Sequence, residues 1–263
     1  MPAHAGLLFV SSFNAALYHA SGKALIESFL QSGSEGTLLL CHEDGIGVAI
    51  RQCATLLTWN LDTSDLLASW IAANHDIIPL HLGGSATPCA CPAIDAFRGH
   101  APRCIWGWYN KNASRWFRKI VSLDYARTLP GYSMIVWLDS DCRFTRALTA
   151  NTVAGWFGST AVFYHKSRDR KVVESAVIGF RTTAAGQAFL DHTIERYRSG
   201  AFRSFARWDD GYQLQITIEE HPELPCTDLA THAVRGTHVL PTSPAGCYIE
   251  HDKGRHGRMR VMT

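Results

Sequence analysis

The sequence predicts an α/β fold in which helices cover both faces of a mainly parallel β-sheet, and three observations support it. Short apolar runs alternate along the chain with amphipathic stretches of helical period. The runs LLFV and MIVWL are apolar at every position, which is typical of strands buried on both faces. MIVWL also runs directly into DSD, at the strand end where such sheets collect ligands.

The first half of the chain supplies the first elements of this sheet. We expect a strand in GLLFVSSF, a helix in KALIESFLQS that closes at Gly33, and a second strand in TLLLCH. Residues 47–73 are expected to be mainly helical. A third strand in HDIIPLHLGG then leads into a loop over 83–104 that is rich in Gly, Pro and Cys.

The second half continues the alternation. The stretch NKNASRWFRKIVSLDYARTL lacks Pro and Gly and spaces its apolar residues as a helix does, directly before the strand MIVWL. A helix over 147–157, strands in TAVFYH and SAVIGF, and a helix over 183–197 are expected to follow. From about 237 the chain shows little periodicity and is expected either to pack over a site or to fray.

Composition limits the class of protein. The 263 residues are 46% hydrophobic and 18% charged, which suits a globular protein with a sizeable core. A formal net charge of +2 is too small for a dedicated non-specific DNA binder. The N-terminal stretch MPAHAGLLFVSSF carries neither a secretory signal nor a transmembrane pattern, so we expect a cytoplasmic protein with reduced cysteines.

One cysteine-rich stretch raises the question of zinc. Cys89, Cys91, His100 and Cys104 offer thiolates and an imidazole, the ligands that zinc usually takes. Their C-x-C spacing differs from the C-x-x-C of common structural sites, and Pro and Gly interrupt the segment. An irregular loop without metal is therefore the favoured interpretation.

The aspartates after MIVWL are the strongest candidate for chemistry. Alternate residues of an extended segment face the same side, so Asp139 and Asp141 can hold a hard divalent cation such as Mn²⁺ or Mg²⁺ together. The alternative is that Asp139 or Asp141 caps the helix expected over 147–157. A buried strand that delivers carboxylates favours the metal site, because it would otherwise leave charge at the edge of the core.

Together these segments resemble the metal-dependent nucleotide-sugar glycosyltransferases of the GT-A fold, which carry a DxD motif. The DxD motif of these enzymes is resembled by LDSD. Their opening strand, loop and helix are resembled by FNAALYHASGKALIESF, and the helix before their DxD strand by FRKIVSLDYA. VVESAVIGF and WDDGY resemble the acceptor-side strand and loop, and IEHDKGRHGR a closing H-x-K-G-type segment. The resemblance implies a single domain: 1–141 for the nucleotide sugar, 142–236 for the acceptor, and a tail over 237–263 that closes over the donor.

The resemblance also implies roles for residues of the donor site. Asp139 would face the ribose or the metal, Asp141 and His251 would bind the metal, and Lys253 would contact the diphosphate. A surface histidine is the alternative for His251.

Two further groups of residues are expected near the nucleotide. Lys119 and Arg115 share a helix face and would contact base or phosphate, although a solvated charged face is an equal alternative. Ser11, Ser12 and Phe13, in the loop expected after the first strand, would surround the base.

Three carboxylates are candidates for catalysis on the acceptor side. Asp209 or Asp210 would deprotonate the acceptor in an inverting enzyme, or orient hydroxyl groups in a retaining one. Either could instead cap the helix that follows. Glu174 is a further candidate near the sugar, with a strand-edge charge as its alternative.

The expected function is therefore transfer of a hexose or pentose from a nucleoside-diphosphate donor to a hydroxyl acceptor. A UDP-sugar donor and a glycan or protein acceptor are favoured, with Mn²⁺ or Mg²⁺ as cofactor, and the His251 and Lys253 resemblance tilts toward retention. The alternatives are a nucleotidyltransferase or nucleotide-sugar hydrolase, a glycosyltransferase acting on modified DNA bases, and a non-catalytic binding protein. The chain lacks the Gly-rich phosphate loop that nucleotidyltransferases of this architecture carry after the first strand.

Overall fold

A computed structural model describes residues 6–50, 53–75, 113–166, 172–230 and 239–252. The strand expected in HDIIPLHLGG falls almost wholly outside these ranges, as do the cysteine-rich loop and Lys253. The strands are β1 (Leu7–Phe13), β2 (Thr37–His42), β3 (Leu56–Asn60), β4 (Met134–Leu138), β5 (Cys142–Phe144), β6 (Val162–Tyr164), β7 (Val177–Arg181), β8 (Cys226–Asp228) and β9 (Ile249–His251). The α-helices are α1 (Ala15–Leu17), α2 (Lys23–Ser32), α3 (Asp65–Ala73), α4 (Ala113–Ala126), α5 (Ala150–Phe157), α6 (Ala184–Arg198) and α7 (Asp210–Glu220).

The strands form a seven-stranded sheet in the order β3-β2-β1-β4-β7-β6-β8. All neighbours run parallel except β7, which is antiparallel to β4 and β6. The predicted mixed, mainly parallel sheet with helices around it is confirmed. Strands β5 and β9 pair separately as a small antiparallel sheet.

The strand order reverses between β1 and β4. The chain moves from β1 outward to β2 and β3, and then returns to place β4 on the other side of β1. In open α/β sheets such a switch point leaves a crevice at the carboxyl ends of the two strands. The residues that follow β1 and β4 therefore lie at the position expected for a ligand.

Alternation along the strands divides the core into two layers. Leu8 and Val10 of β1 pack with Phe117 of α4 on one face of the sheet, and Leu7 and Phe9 join the opposite layer. Both layers consist of fully buried apolar side chains. This explains why β1 and β4 are apolar at consecutive positions.

The helix expected over 47–73 is only partly correct. Helix α3 occupies the end of this range, but a 3₁₀ turn over Ile46–Ala49 and the edge strand β3 precede it. Strand β3 pairs in parallel with β2, so tertiary pairing overrides the helical spacing of the apolar residues. The helices expected over 147–157 and 183–197 are confirmed as α5 and α6.

Candidate metal centre and active site

The DSD segment leaves the sheet at the switch point. Asp139 directly follows β4, and its backbone N–H donates to the carbonyl oxygen of Ala176 at 2.9 Å. Thr149 caps α5 by accepting a hydrogen bond from the Thr152 N–H. The alternative in which Asp139 or Asp141 caps that helix is therefore wrong, because the small β5 strand separates them from it.

His251 reaches the aspartates through the pairing of β5 with β9. Cys142, next to Asp141, lies opposite His251 in this pair, and the Asp252 N–H donates to the Asp141 carbonyl at 2.9 Å. The His251 Nε2 atom lies 3.0 Å from Asp141 Oδ1. One ligand atom from each of Asp139, Asp141 and His251 falls within 4.8 Å of the others.

This donor set fits a divalent cation. Carboxylate oxygens suit Mg²⁺ and Mn²⁺, and a neutral imidazole is a common metal ligand that can complete such a set. All three side chains are partly buried and come together from two segments, the DSD turn and β9. The predicted Asp-Xaa-Asp metal-binding group is thus present in the structure, with His251 as its third member.

The charges of the centre support one another. Burial raises the pKa of Asp139, but the charges of Lys119 and His251 and the hydrogen bonds from Lys119 and Trp137 outweigh it, so the pKa lies below its usual value. For His251, burial lowers the pKa, while the hydrogen bond to Asp141 and the carboxylates of Asp139, Asp141 and Glu174 raise it to a net increase. Asp139 is therefore held in its ionised form, and the carboxylates around His251 supply negative potential that favours a cation.

Lys119 joins the metal centre to the first turn of α7. Its side chain is 6% exposed, and Nζ lies 2.8 Å from Asp139 Oδ1 and in contact with Asp210 Oδ2. Nζ also donates to the carbonyl and the hydroxyl oxygen of Ser175, at 2.9 and 3.1 Å. The Trp137 ring lies 4.9 Å from the ammonium and donates its own N–H to Asp139 Oδ1 at 2.7 Å.

The alternative in which Lys119 lies on a solvated charged helix face is therefore wrong. Burial alone would lower the pKa of Lys119, but the two aspartates raise it well above its usual value, so the ammonium stays charged. Arg115, one turn earlier, is exposed and stacks over Trp116. The two side chains thus separate, and only Lys119 meets the metal centre.

The two aspartates of WDDGY have different roles. Asp209 caps α7 by accepting from the Tyr212 N–H, and Arg207 binds both of its carboxylate oxygens at 2.7 and 2.8 Å. Burial raises the pKa of Asp209, although Arg207 opposes the shift. Asp210 lies in the first turn of α7 and contacts Lys119. The cap expected for one member of the pair is confirmed for Asp209, and Asp210 faces the site.

Glu174 lies at the same edge of the sheet, before β7. Its backbone N–H donates to the His165 carbonyl at 2.8 Å, and its charge acts on the imidazole of His251. It is thus near the metal centre, as its candidacy requires.

The expected opening loop is wrong for Ser11, Ser12 and Phe13. All three lie within β1, because pairing with β2 continues as far as Phe13 opposite His42. Ser11 is fully buried and its hydroxyl finds no hydrogen-bond partner among the residues described. Phe13 packs against Tyr18, and a Cβ at Gly22 would lie 3.0 Å from its ring. Their binding of the nucleotide stays a prediction, now from a strand end.

Sequence reasoning missed residues that complete the site. Ser175 holds Lys119 through a backbone carbonyl, which no side-chain pattern reveals. Trp137 was visible only as part of an apolar run, although its indole N–H orients Asp139. Trp137 and Asp139 are two positions apart, so the alternation of an extended segment places their side chains on the same face. This spacing was the available signal.

Comparison with known proteins gives distant structural resemblances. No protein-family model and no curated protein matches the chain. Apo mouse xyloside xylosyltransferase 1 is 11% identical over 85% of this chain and 84% of its own, with a TM-score of 0.46. A glycosyltransferase involved in glycosylation of the major capsid of PBCV-1 is 10% identical over 95% and 96%, with a TM-score of 0.45. The glycosyltransferase GlyE of Streptococcus pneumoniae TIGR4 is 12% identical over 84% of this chain and 44% of its own, with a TM-score of 0.46.

These three structures are all glycosyltransferases. In the part of the chain that the structure describes, no helix is both long and apolar enough to span a membrane.

Proposed function

We propose that the protein is a divalent-metal-dependent glycosyltransferase that uses a nucleoside-diphosphate sugar, with a UDP-sugar as the favoured donor. The observation that carries this proposal is the convergence of Asp139, Asp141 and His251 at the switch point of a mixed α/β sheet. A hard cation beside a sheet crevice suits a diphosphate, since the metal binds phosphate oxygens and such crevices are where nucleotides bind in α/β sheets. A hydroxyl group of a glycan or protein is the favoured acceptor.

Asp141 and His251 would hold Mn²⁺ or Mg²⁺ together with Asp139. The bound ion would offset the negative charge that develops on the diphosphate leaving group. Lys119 keeps Asp139 ionised and oriented, because its ammonium and the Trp137 indole both bind Oδ1. Lys253, which follows the described β9 strand by two positions, is proposed to contact the diphosphate.

The acceptor side would be formed by Asp210 and Glu174. Lys119 contacts Asp210 and thereby fixes the position of this carboxylate relative to Asp139. We assign Asp210 the role of orienting a hydroxyl of the sugar or the acceptor. Asp209 has a structural role instead, since α7 and Arg207 already occupy its carboxylate.

Calorimetric titration with UDP, GDP and their common sugar conjugates, with and without Mn²⁺, tests this proposal. One nucleotide class should bind only when Mn²⁺ is present. Asp141→Ala should abolish this binding, because the centre loses a ligand and an anionic charge. Asp191→Asn is the matched control, since Asp191 is an exposed carboxylate on α6 that pairs with Arg127.

The control variant should bind as wild type does. Absence of binding by wild type across the whole panel would refute the glycosyltransferase proposal. Binding that survives Asp141→Ala undiminished would refute the metal centre as the donor site.

A further inference from the structure

A buried histidine outside the metal centre holds the segment that carries His251. His165 follows β6 at the carboxyl edge of the sheet and is 0% exposed. Its Nδ1 atom lies 3.0 Å from the carbonyl oxygen of Val177 in β7. Its Nε2 atom lies 3.0 Å from the hydroxyl oxygen of Ser243. A carbonyl can only accept, so Nδ1 carries the proton in the neutral ring.

Ser243 belongs to the described segment 239–252. Its hydroxyl oxygen accepts from the Gly246 N–H at the start of the 3₁₀ helix Pro244–Cys247. The single hydroxyl proton lies between two acceptors, the Leu240 carbonyl at 2.8 Å and the unprotonated Nε2 of His165 at 3.0 Å. That helix leads through Tyr248 into β9, which ends at His251. A side-chain bond from the body of the protein thus reaches the segment shortly before its metal-binding residue.

The rest of the segment is attached by other means. Its apolar side chains are buried and stabilise the packing without fixing a direction. They are Val239, Leu240, Ala245 and Ile249. Pairing of β9 with the three-residue β5 fixes the far end. The contact between His165 and Ser243 is a directional side-chain bond that fixes the 3₁₀ turns relative to β6 and β7.

We propose that His165 is a positioning residue for the metal centre, acting on His251 through Ser243. The inference rests on the proposed metal site and adds a residue to it. His165 itself does not touch the centre; it limits the conformations of the segment that presents the imidazole. Apparent metal affinity falls in proportion to the fraction of molecules in which the ligand is in place.

Hydrogen exchange without metal tests the positioning step by itself. His165→Asn keeps the bond to the Val177 carbonyl but no longer reaches Ser243, and it leaves the Ser243 cap of the 3₁₀ helix in place, so amides of 245–252 should exchange faster. The control is Thr193→Val, which removes a fully buried hydroxyl that bonds Thr217 on α7. The control should not change exchange in 245–252. Equal exchange in that segment for wild type and His165→Asn would overturn the proposal.

Mn²⁺ titration followed by electron paramagnetic resonance of the free ion tests the consequence. His165→Asn, which leaves the Ser243 cap intact, should bind Mn²⁺ roughly 3- to 30-fold more weakly than wild type, the range expected for a residue that couples to a site without touching it. Thr193→Val should bind as wild type does even where its stability falls equally. Unchanged affinity in His165→Asn would overturn the role of the bond in metal binding.

Two substitutions at His165 separate positioning from a general structural role. In His165→Gln the side-chain amide can reach Ser243, whereas in His165→Asn the shorter amide can reach only the Val177 carbonyl. Gln should therefore retain more Mn²⁺ affinity than Asn, and equal affinities would contradict the proposal. Wild type that binds no Mn²⁺ would overturn the metal site and this inference together, whereas the exchange result alone reports on the positioning.

Discussion

Lys119 shows how one residue can connect both halves of a site. Its ammonium is buried between Asp139 and Asp210 and is additionally held by Ser175. A buried charge pair contributes little net stability, but removal of one partner leaves the other charge without compensation. Substitution of Lys119 should therefore cost stability.

Lys119→Met should lower the free energy of unfolding by about 3 kcal/mol, since two carboxylates then lose their counter-charge. Urea denaturation measures this effect. Lys23→Met is the control: Lys23 pairs with Glu27 on the exposed face of α2, where a pair contributes less than about 1 kcal/mol. Equal losses in the two variants would contradict the account of Lys119.

His165 predicts a pH dependence of stability. Burial lowers its pKa, and the Val177 carbonyl and the charges of Asp228 and Glu174 only partly oppose this. The unfolded chain, with the usual pKa near 6.5, binds a proton that the folded protein excludes. The contribution of the neutral ring is therefore fully present above pH 6.5 and declines as the pH falls below that value.

Unfolding free energies at pH 7.5 and pH 5 measure this effect. The loss of stability between the two pH values should be smaller in His165→Gln than in wild type, because glutamine does not titrate. An identical loss in both proteins would show that His165 does not exclude a proton.

At the scale of elements, β1, α4 and β4 could be predicted from the sequence. Their apolar runs or helical spacing are long enough to fix the type of element, and DSD follows β4 directly. The pair β5 and β9 was not predictable, because strands of three residues carry no periodicity and their pairing joins distant segments. For the same reason His251 could be placed only by resemblance. Lys119 could not be distinguished from a surface lysine, because its partners Asp139 and Asp210 come from other segments of the chain.

Substitution of two glycines by alanine tests the packing of these elements. A Cβ at Gly179 in β7 would lie 2.1 Å from the ring of Phe163 in β6, so Gly179→Ala should force the strands apart. The expected loss is about 1–3 kcal/mol, as for other overpacked cores. Gly155→Ala in α5 meets nothing within 4 Å and should stabilise the protein by about 0.5–1 kcal/mol. Thermal denaturation of both variants measures the contrast, and a stabilised Gly179→Ala would contradict the packing described.

At the scale of the whole molecule, the fold joins segments that are distant in sequence. The switch point between β1 and β4 provides the crevice, β4 delivers the aspartates, and the β5 and β9 pair returns the chain to the same place. The sequence pattern could predict only the second, because an apolar run followed by DSD is a local feature, whereas the strand order that creates the switch point is not. The third depends on a three-dimensional closure that only the structure reveals.

The most direct test of the central claim is an anomalous diffraction measurement at the manganese absorption edge. Crystals grown with Mn²⁺ and UDP should show one strong peak in contact with Asp141 and His251, with the diphosphate beside it. A peak elsewhere, or none at this centre while UDP is bound, would contradict the assignment of these residues as a metal-dependent nucleotide-sugar site.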